Sequence, residues 1–347
     1  MTPVSLVAAV EARTLKTLLG LPPQVVRALA GRPVVIDGQT LAPDLQLMLR
    51  LQRLTRKRAM VRVPSIELGR ADMLANAEAV AGKQPIGAVR ELTVAGLPAR
   101  HYLPHGARSA SATQPLLVFF HGGSFLYGDL DSHDAPCRVL AEESRVPVLS
   151  IEWGLGPERP FPGGFDDAEA ALAWVVEHAA ELGVDDKRIG VAGDSAGGAV
   201  AAWVAIAAAR SGIPLAFQFL LYPCTDPNRD TDSLRLFGDG FFLESDHIDM
   251  ANDIYLPTKA DRTNERVALL RANLPSGIAP AYVVTAGFDP LRDEGEAYAR
   301  RLADAGAEVE LRRYADQIHG FLNIVGAGRS SRAAVLEIAA KVRTALG

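Results

Sequence analysis

From residue 116 onward the chain alternates short apolar strands with helices, and this alternation constrains the fold more than any other feature. The strands are expected at residues 116–120, 147–153, 189–192, 217–222, 281–286 and 309–314, and the helices at 133–143, 165–182, 198–210, 294–305 and 333–346. Such alternation predicts an α/β fold with a mainly parallel sheet and helices on both faces. The run Leu-Leu-Val-Phe-Phe at residues 116–120 is apolar throughout, which is typical of a strand buried on both faces.

The third of these strands leads directly into a tight turn and then a helix. Residues 193–197 read Gly-Asp-Ser-Ala-Gly, a G-x-S-x-G pattern, and an alanine-rich segment follows. This context is typical of a nucleophile elbow, whose sharp turn accepts only small residues two positions before and after the serine. The helix behind Ser195 directs its N-terminal N–H groups at the place where negative charge develops. Ser195 is therefore predicted to be a nucleophile.

A serine nucleophile needs a base, and the order of the chain indicates one histidine. With such an elbow the expected order is serine, acid, histidine, and only His247 and His319 follow Ser195. His247 lies in a predicted helix with no strand to position it. His319 lies in a loop just after strand 309–314, and catalytic groups lie at the carboxyl ends of parallel strands. His319 is therefore the predicted base.

The acid must lie between these two residues, also at a strand end. Asp289 is the first carboxylate after the strand that begins at residue 281. Its expected role is to hold the imidazole of His319 in the productive tautomer and to stabilise the imidazolium. Asp293 is the alternative, although it and Glu294 lie at the start of the next helix, where acidic side chains are favourable.

A glycine pair follows strand 116–120, in the segment His-Gly-Gly-Ser-Phe at residues 121–125. Paired glycines at a strand end allow backbone N–H groups to approach a ligand closely. Gly122 and Gly123, together with the N–H of Ala196, are predicted to form an oxyanion hole. One such donor is worth about 3–4 kcal/mol in a transition state.

These motifs together resemble the hormone-sensitive-lipase-like group of α/β-hydrolases, the bacterial family IV esterases, over residues 85–325. The matching segments are 121–125, Pro-Glu-Arg-Pro-Phe-Pro at 157–162, 193–198, Asp-Pro-Leu-Arg-Asp-Glu-Gly at 289–295 and His-Gly-Phe at 319–321. The resemblance implies an α/β-hydrolase domain with a helical cap and serine-dependent hydrolysis of carboxylic esters with short to medium acyl chains. It implies neither a metal nor an organic cofactor, and homodimers are common in the group.

The chain departs from this family in places that bear on the pocket. Ser124 stands where the family usually has a third glycine, and Trp-Gly-Leu-Gly at residues 153–156 replaces the usual Tyr-Arg-Leu-Ala. Residues 1–85 match the family poorly and are expected to form helices without strands, as an N-terminal helical cap. Residues 86–347 are expected to form the catalytic domain, in which residues 227–279 interrupt the alternation as an insertion beside the pocket.

Composition excludes several other classes of protein. A net charge of −5 argues against nucleic acid as the main partner. Glu11, Arg13 and Lys16 interrupt any secretory signal, and no uncharged run reaches the ~18 residues that span a bilayer. We therefore expect a cytoplasmic protein without stable membrane insertion, acting on a small-molecule ester.

Two rival functions use the same residues. An amidase or deacetylase would share the acyl-enzyme chemistry, so the motifs do not separate it from an esterase. A non-catalytic small-molecule receptor of the same fold is disfavoured because His319 is present. Enzymes of this fold with an aspartate nucleophile are excluded because the elbow carries a serine.

Overall fold

The structure is a computed structural model in which residues 12–55, 65–107 and 113–347 are described. Within these residues the strands form a small hairpin and an eight-stranded sheet. The hairpin consists of β1 (Val35–Ile36) and β2 (Gln39–Thr40). The strands of the sheet are β3 (Ala88–Val94), β4 (Leu97–Leu103), β5 (Gln114–Phe120), β6 (Val148–Ile151), β7 (Val184–Asp194), β8 (Phe217–Leu221), β9 (Ala281–Phe288) and β10 (Val309–Ile318).

The order of the sheet is β10-β9-β8-β7-β5-β6-β4-β3. Each pair of adjacent strands from β10 to β6 is parallel, whereas β4 is antiparallel to both β3 and β6. The mainly parallel α/β sheet predicted from the sequence is therefore confirmed. The winding reverses at β5, because β6 lies on one side of it and β7 on the other. In such sheets ligands bind beyond the carboxyl ends of the strands at the reversal, here the ends of β5 and β7.

Helices cover both faces of the sheet. In the described residues they are α1 (Pro23–Ala30), α2 (Pro43–Thr55), α3 (Ile66–Ala81), α4 (Asp134–Ser144), α5 (Gly163–Glu177), α6 (Ala179–Leu182), α7 (Ala196–Ser211), α8 (Asp232–Phe237), α9 (Ser245–Tyr255), α10 (Lys259–Thr263), α11 (Arg292–Asp304) and α12 (Ser330–Leu346). Residues 12–19 are helical as well, and 3₁₀ turns lie at Leu269–Arg271 and Phe321–Asn323.

Alternate side chains of β5 divide the core between the two faces. Leu116, Val118 and Phe120 pack with the residues of α5 and α7. Leu117 and Phe119 pack with α4 and α12 on the opposite face. All five side chains of this run are fully buried, as its continuous apolar character predicts.

The N-terminal segment packs over the carboxyl ends of β9 and β10. Leu45 and Met48 of α2 share a buried apolar cluster with Phe288 and Ile318, which end those two strands. The expectation of helices without strands is wrong for residues 35–40, which form the hairpin β1–β2. Its turn is Asp-Gly with φ of 53° and 71°, the pair of residues that favours a two-residue hairpin turn.

Residues 227–279 lie between β8 and β9 and contain α8, α9, α10 and one 3₁₀ turn. Leu243 and Ile248 from this segment pack into the core on the α7 face. Among the described residues, no helix has the length and apolar character needed to cross a membrane.

Candidate active site

Ser195 lies at the turn between β7 and α7. Its backbone has φ 55° and ψ −118°, a conformation that non-glycine residues rarely adopt. A Cβ atom at Gly193 would lie 2.1 Å from the carbonyl oxygen of Gly197, and one at Gly197 would lie 2.0 Å from that of Phe120. Both glycines are therefore required for the turn. The first N–H groups of α7 lie directly behind the serine.

The structure brings the three residues predicted to act together into one chain of contacts. His319 Nε2 lies 2.9 Å from Ser195 Oγ, and His319 Nδ1 lies 2.8 Å from Asp289 Oδ2. The backbone N–H of Leu291 donates to the other carboxylate oxygen of Asp289 at 2.8 Å. All three predicted side chains are buried, with exposed fractions of 6% for Ser195, 2% for His319 and 0% for Asp289. This arrangement allows the imidazole to take a proton from the serine while the carboxylate orients it.

The alternative acid and the alternative base have other partners. Asp293 accepts hydrogen bonds from Arg292 Nε and from the backbone N–H of Ser233, each at 2.8 Å, at the first turn of α11. His247 Nε2 lies 3.0 Å from Ser124 Oγ. The structure thus places His319 beside Ser195 and Asp289 beside His319, whereas Asp293 and His247 have other partners.

The glycine loop after β5 differs from its prediction in one respect. The N–H of Gly122 donates to Asp194 Oδ1 at 2.8 Å, so this predicted oxyanion donor already has a partner. The reason is that β5 and β7 are neighbours, and the buried carboxylate before the nucleophile reaches the loop. Within the part of the chain that the structure describes, the N–H groups of Gly123 and Ala196 donate to no protein acceptor.

Asp194 belongs to a buried network that the sequence did not reveal. His133 Nε2 lies 3.3 Å from its Oδ1, and the hydroxyl of Tyr222 donates to its Oδ2 at 3.4 Å. Burial alone would raise the pKa of the Asp194 carboxyl, but His133 and the Gly122 N–H hold this pKa below its usual value. The carboxylate is therefore charged at neutral pH. In the sequence, Asp194 beside Ser195 was the only signal for this network, since His133 lies far from it in the chain.

Two cavities meet at Ser195, which lines both of them. The larger has a volume of about 140 Å³ and is lined by Met48, Met73 and Ala77 of the N-terminal helices and by His319. The smaller has a volume of about 20 Å³ and lies beside Ser124 and Ala196, enclosed mainly by apolar side chains of α9 and its neighbours. The site therefore offers two cavities of unequal volume that both border Ser195.

The chain is similar in sequence to a known family and to proteins named as ester hydrolases. A family model described as alpha/beta hydrolase fold matches residues 117–323. The chain is 43% identical over 343 residues to carboxylic ester hydrolase LipN of Mycobacterium tuberculosis, covering 95% of this chain and 90% of LipN. It is 42% identical over 231 residues to carboxylesterase NlhH of the same organism, covering 65% of this chain and 72% of NlhH.

Solved structures extend the likeness to three dimensions. A hyperthermophilic esterase from Pyrobaculum calidifontis superposes with a TM-score of 0.82 at 33% sequence identity, covering 88% of this chain and 98% of that one. The resemblance to hormone-sensitive-lipase-like esterases is thereby confirmed, and the chain belongs to the alpha/beta hydrolase family.

Proposed function

We propose that this protein is a serine carboxylesterase that hydrolyses esters of short- to medium-chain carboxylic acids through an acyl-enzyme intermediate. The observation that carries the proposal is the pair of contacts, 2.9 Å and 2.8 Å, that joins Ser195 to His319 and His319 to Asp289. The relatives named esterase and carboxylic ester hydrolase support the same reaction class.

The proposed reaction begins when His319 removes the proton of Ser195 as Oγ attacks the ester carbonyl carbon. The carbonyl oxygen becomes an oxyanion, which the N–H groups of Gly123 and Ala196 stabilise together with the N-terminal end of α7. His319 then gives its proton to the departing alcohol, and Ser195 remains acylated. Water hydrolyses this acyl-enzyme by the same steps, with His319 again as the base and Asp289 orienting it.

The two cavities support a placement of the two halves of the ester. The departing alcohol must receive its proton from His319, and His319 lines the larger cavity. The smaller cavity lies beside Ser124 and Ala196, whereas Gly123 lines the larger one. We therefore place the alcohol in the larger space and the acyl group in the smaller, an arrangement that favours short acyl chains.

Replacement of the nucleophile tests the proposal. Ser195→Ala removes the attacking oxygen, so kcat for p-nitrophenyl acetate should fall by at least about 10⁴-fold. The melting temperature should stay close to that of the wild type. A serine-directed phosphonate should label the wild type and not the variant, as read by intact mass. If the variant keeps most of its kcat, or if the wild type is not labelled, the proposal is wrong.

The same proposal covers the organisation of the chain. Residues 1–85 would form a cap, 86–347 the catalytic domain, and 227–279 a pocket insertion; of the cap, residues 1–11 and 56–64 lie outside the described part. Side chains from α2, α3 and α9 in the lining of the larger cavity support this division. The cytoplasmic location and the homodimer stay predictions.

A further inference from the structure

Ser124 occupies a backbone conformation that favours glycine. Its φ is 57°, and the next residue, Phe125, has a φ of 63°. A side chain disfavours this region of backbone conformation, and glycine would avoid that cost. The chain nevertheless has a serine at this position.

The Ser124 hydroxyl contacts a buried histidine from a distant part of the chain. Its Oγ lies 3.0 Å from His247 Nε2, and His247 on α9 is 1% exposed. The ring of Tyr127 lies against the His247 ring, with 5.5 Å between the centroids. The contact therefore joins the loop after β5 to the insertion between β8 and β9.

This hydrogen bond lies between the two cavities. Ser124 lines the smaller cavity, His247 and Tyr127 line the larger, and Ser195 lines both. Because the bond joins a side chain that lines the smaller cavity to a side chain that lines the larger one, it closes the space between the two cavities. A glycine at position 124 would have no atom with which to reach His247.

We propose that the Ser124–His247 hydrogen bond is a specificity-determining wall that closes the smaller cavity and limits the length of the acyl group. This inference rests on the proposed esterase function, because it assigns the smaller cavity to the acyl half of the substrate. Neither side chain takes part in the proton transfers, which belong to Ser195 and His319. Loss of the bond therefore changes which ester is hydrolysed more than whether esters are hydrolysed.

The test uses p-nitrophenyl acetate, butyrate, hexanoate and octanoate, so that the alcohol is constant and only the acyl chain varies. The readout is the ratio of kcat/KM for octanoate to that for acetate. Ser124→Ala and Ser124→Gly remove the hydroxyl, and His247→Phe keeps a ring while removing the nitrogen. Each should raise the ratio about tenfold over the wild type, the size of effect that pocket contacts with an alkyl chain produce. Ser124→Gly should melt no lower than the wild type, because glycine accepts the φ of 57°.

Ser144→Ala is the matched control, since Ser144 is buried in α4 and, among the residues that the structure describes, its hydroxyl bonds only to backbone atoms near it. Its ratio should equal that of the wild type. An unchanged ratio in Ser124→Ala and His247→Phe would overturn the inference. A rise in Ser124→Gly alone would also overturn it, because added space and not the lost bond would then be the cause. A wild type that hydrolyses none of these esters would instead refute the proposed function itself.

Discussion

Asp194 joins the turn that carries Ser195 to the glycine loop after β5. It precedes Ser195 in the chain, and its carboxylate accepts the N–H of Gly122. The same carboxylate contacts Tyr222, whose ring lies 4.8 Å from that of His319. The buried carboxylate of Asp194 thus orients the backbone of Gly122, which precedes the N–H of Gly123. The same carboxylate lies near His319, the proposed base.

The change Asp194→Asn tests this role at nearly constant size. The amide oxygen still accepts the Gly122 N–H, but the charge is lost, and a hydrogen bond to a neutral group is weaker by about 1 kcal/mol. We expect kcat for p-nitrophenyl acetate to fall about tenfold while KM changes by less than about twofold.

Asp293→Asn is the control for this variant, since Asp293 is also near the site in sequence but contacts Arg292 and Ser233. Its kcat should match the wild type. An equal loss of kcat in both variants, or no loss in Asp194→Asn, would contradict the role assigned to Asp194.

At the scale of elements, the helices and strands that could be predicted are those with a strong local sequence pattern. Strands such as β5 and helices such as α7 carry continuous apolar or alanine-rich runs, and their positions were predicted from the sequence within a few residues. The hairpin β1–β2 was missed although its Asp37-Gly38 turn is a strong signal, because each strand has only two residues. The pairing of Asp194 with His133 could not be predicted, since it depends on how the loop before α4 lies against the end of β7.

Helix α3 lines the larger cavity through Gly69, where we expect an added methyl group to destabilise the protein. In a helix interior, Gly→Ala usually stabilises a protein by about 0.5–1 kcal/mol. A Cβ at Gly69 would, however, lie 2.5 Å from the ring of Tyr127, which in turn packs on His247. Gly69→Ala should therefore destabilise the protein by about 1–2 kcal/mol and raise KM for p-nitrophenyl butyrate.

The matched control is Ala71→Leu, which lies on the exposed face of the same helix. It should change neither the free energy of unfolding in urea nor KM. If Gly69→Ala instead stabilises the protein as an ordinary helix substitution does, α3 does not pack on Tyr127 as the structure has it.

At the scale of the whole molecule, the site is assembled from segments that are far apart in the chain. The sheet brings the ends of β5, β7, β9 and β10 to one edge, and this follows from the order of strands and the motifs at their ends. The larger cavity also needs side chains of α2 and α3, which pack over that edge. Its shape could not be predicted because no local pattern specifies how helices without a strand between them dock on the sheet.

Buried histidines give the whole fold a dependence on pH. Burial lowers the pKa of His121 and of His101 from 6.5 to about 4. The Nε2 atoms of both have no partner among the described residues. The folded state therefore holds both rings neutral, whereas the unfolded chain protonates them once the pH falls below about 6.5. Their contribution to stability is full above that pH and is lost as the pH falls toward the folded value.

We expect the free energy of unfolding in urea to decrease between about pH 7 and about pH 4.5, by about 2–3 kcal/mol for each such histidine. His101→Phe removes the titrating ring of β4, which lies away from Ser195, and keeps a buried aromatic side chain. Its unfolding free energy should therefore fall by about 2–3 kcal/mol less than that of the wild type over this range. Any constant packing cost of the larger ring cancels in this comparison, since it is present at both pH values. An identical fall in the two proteins would mean that His101 is protonated equally in the folded and unfolded states.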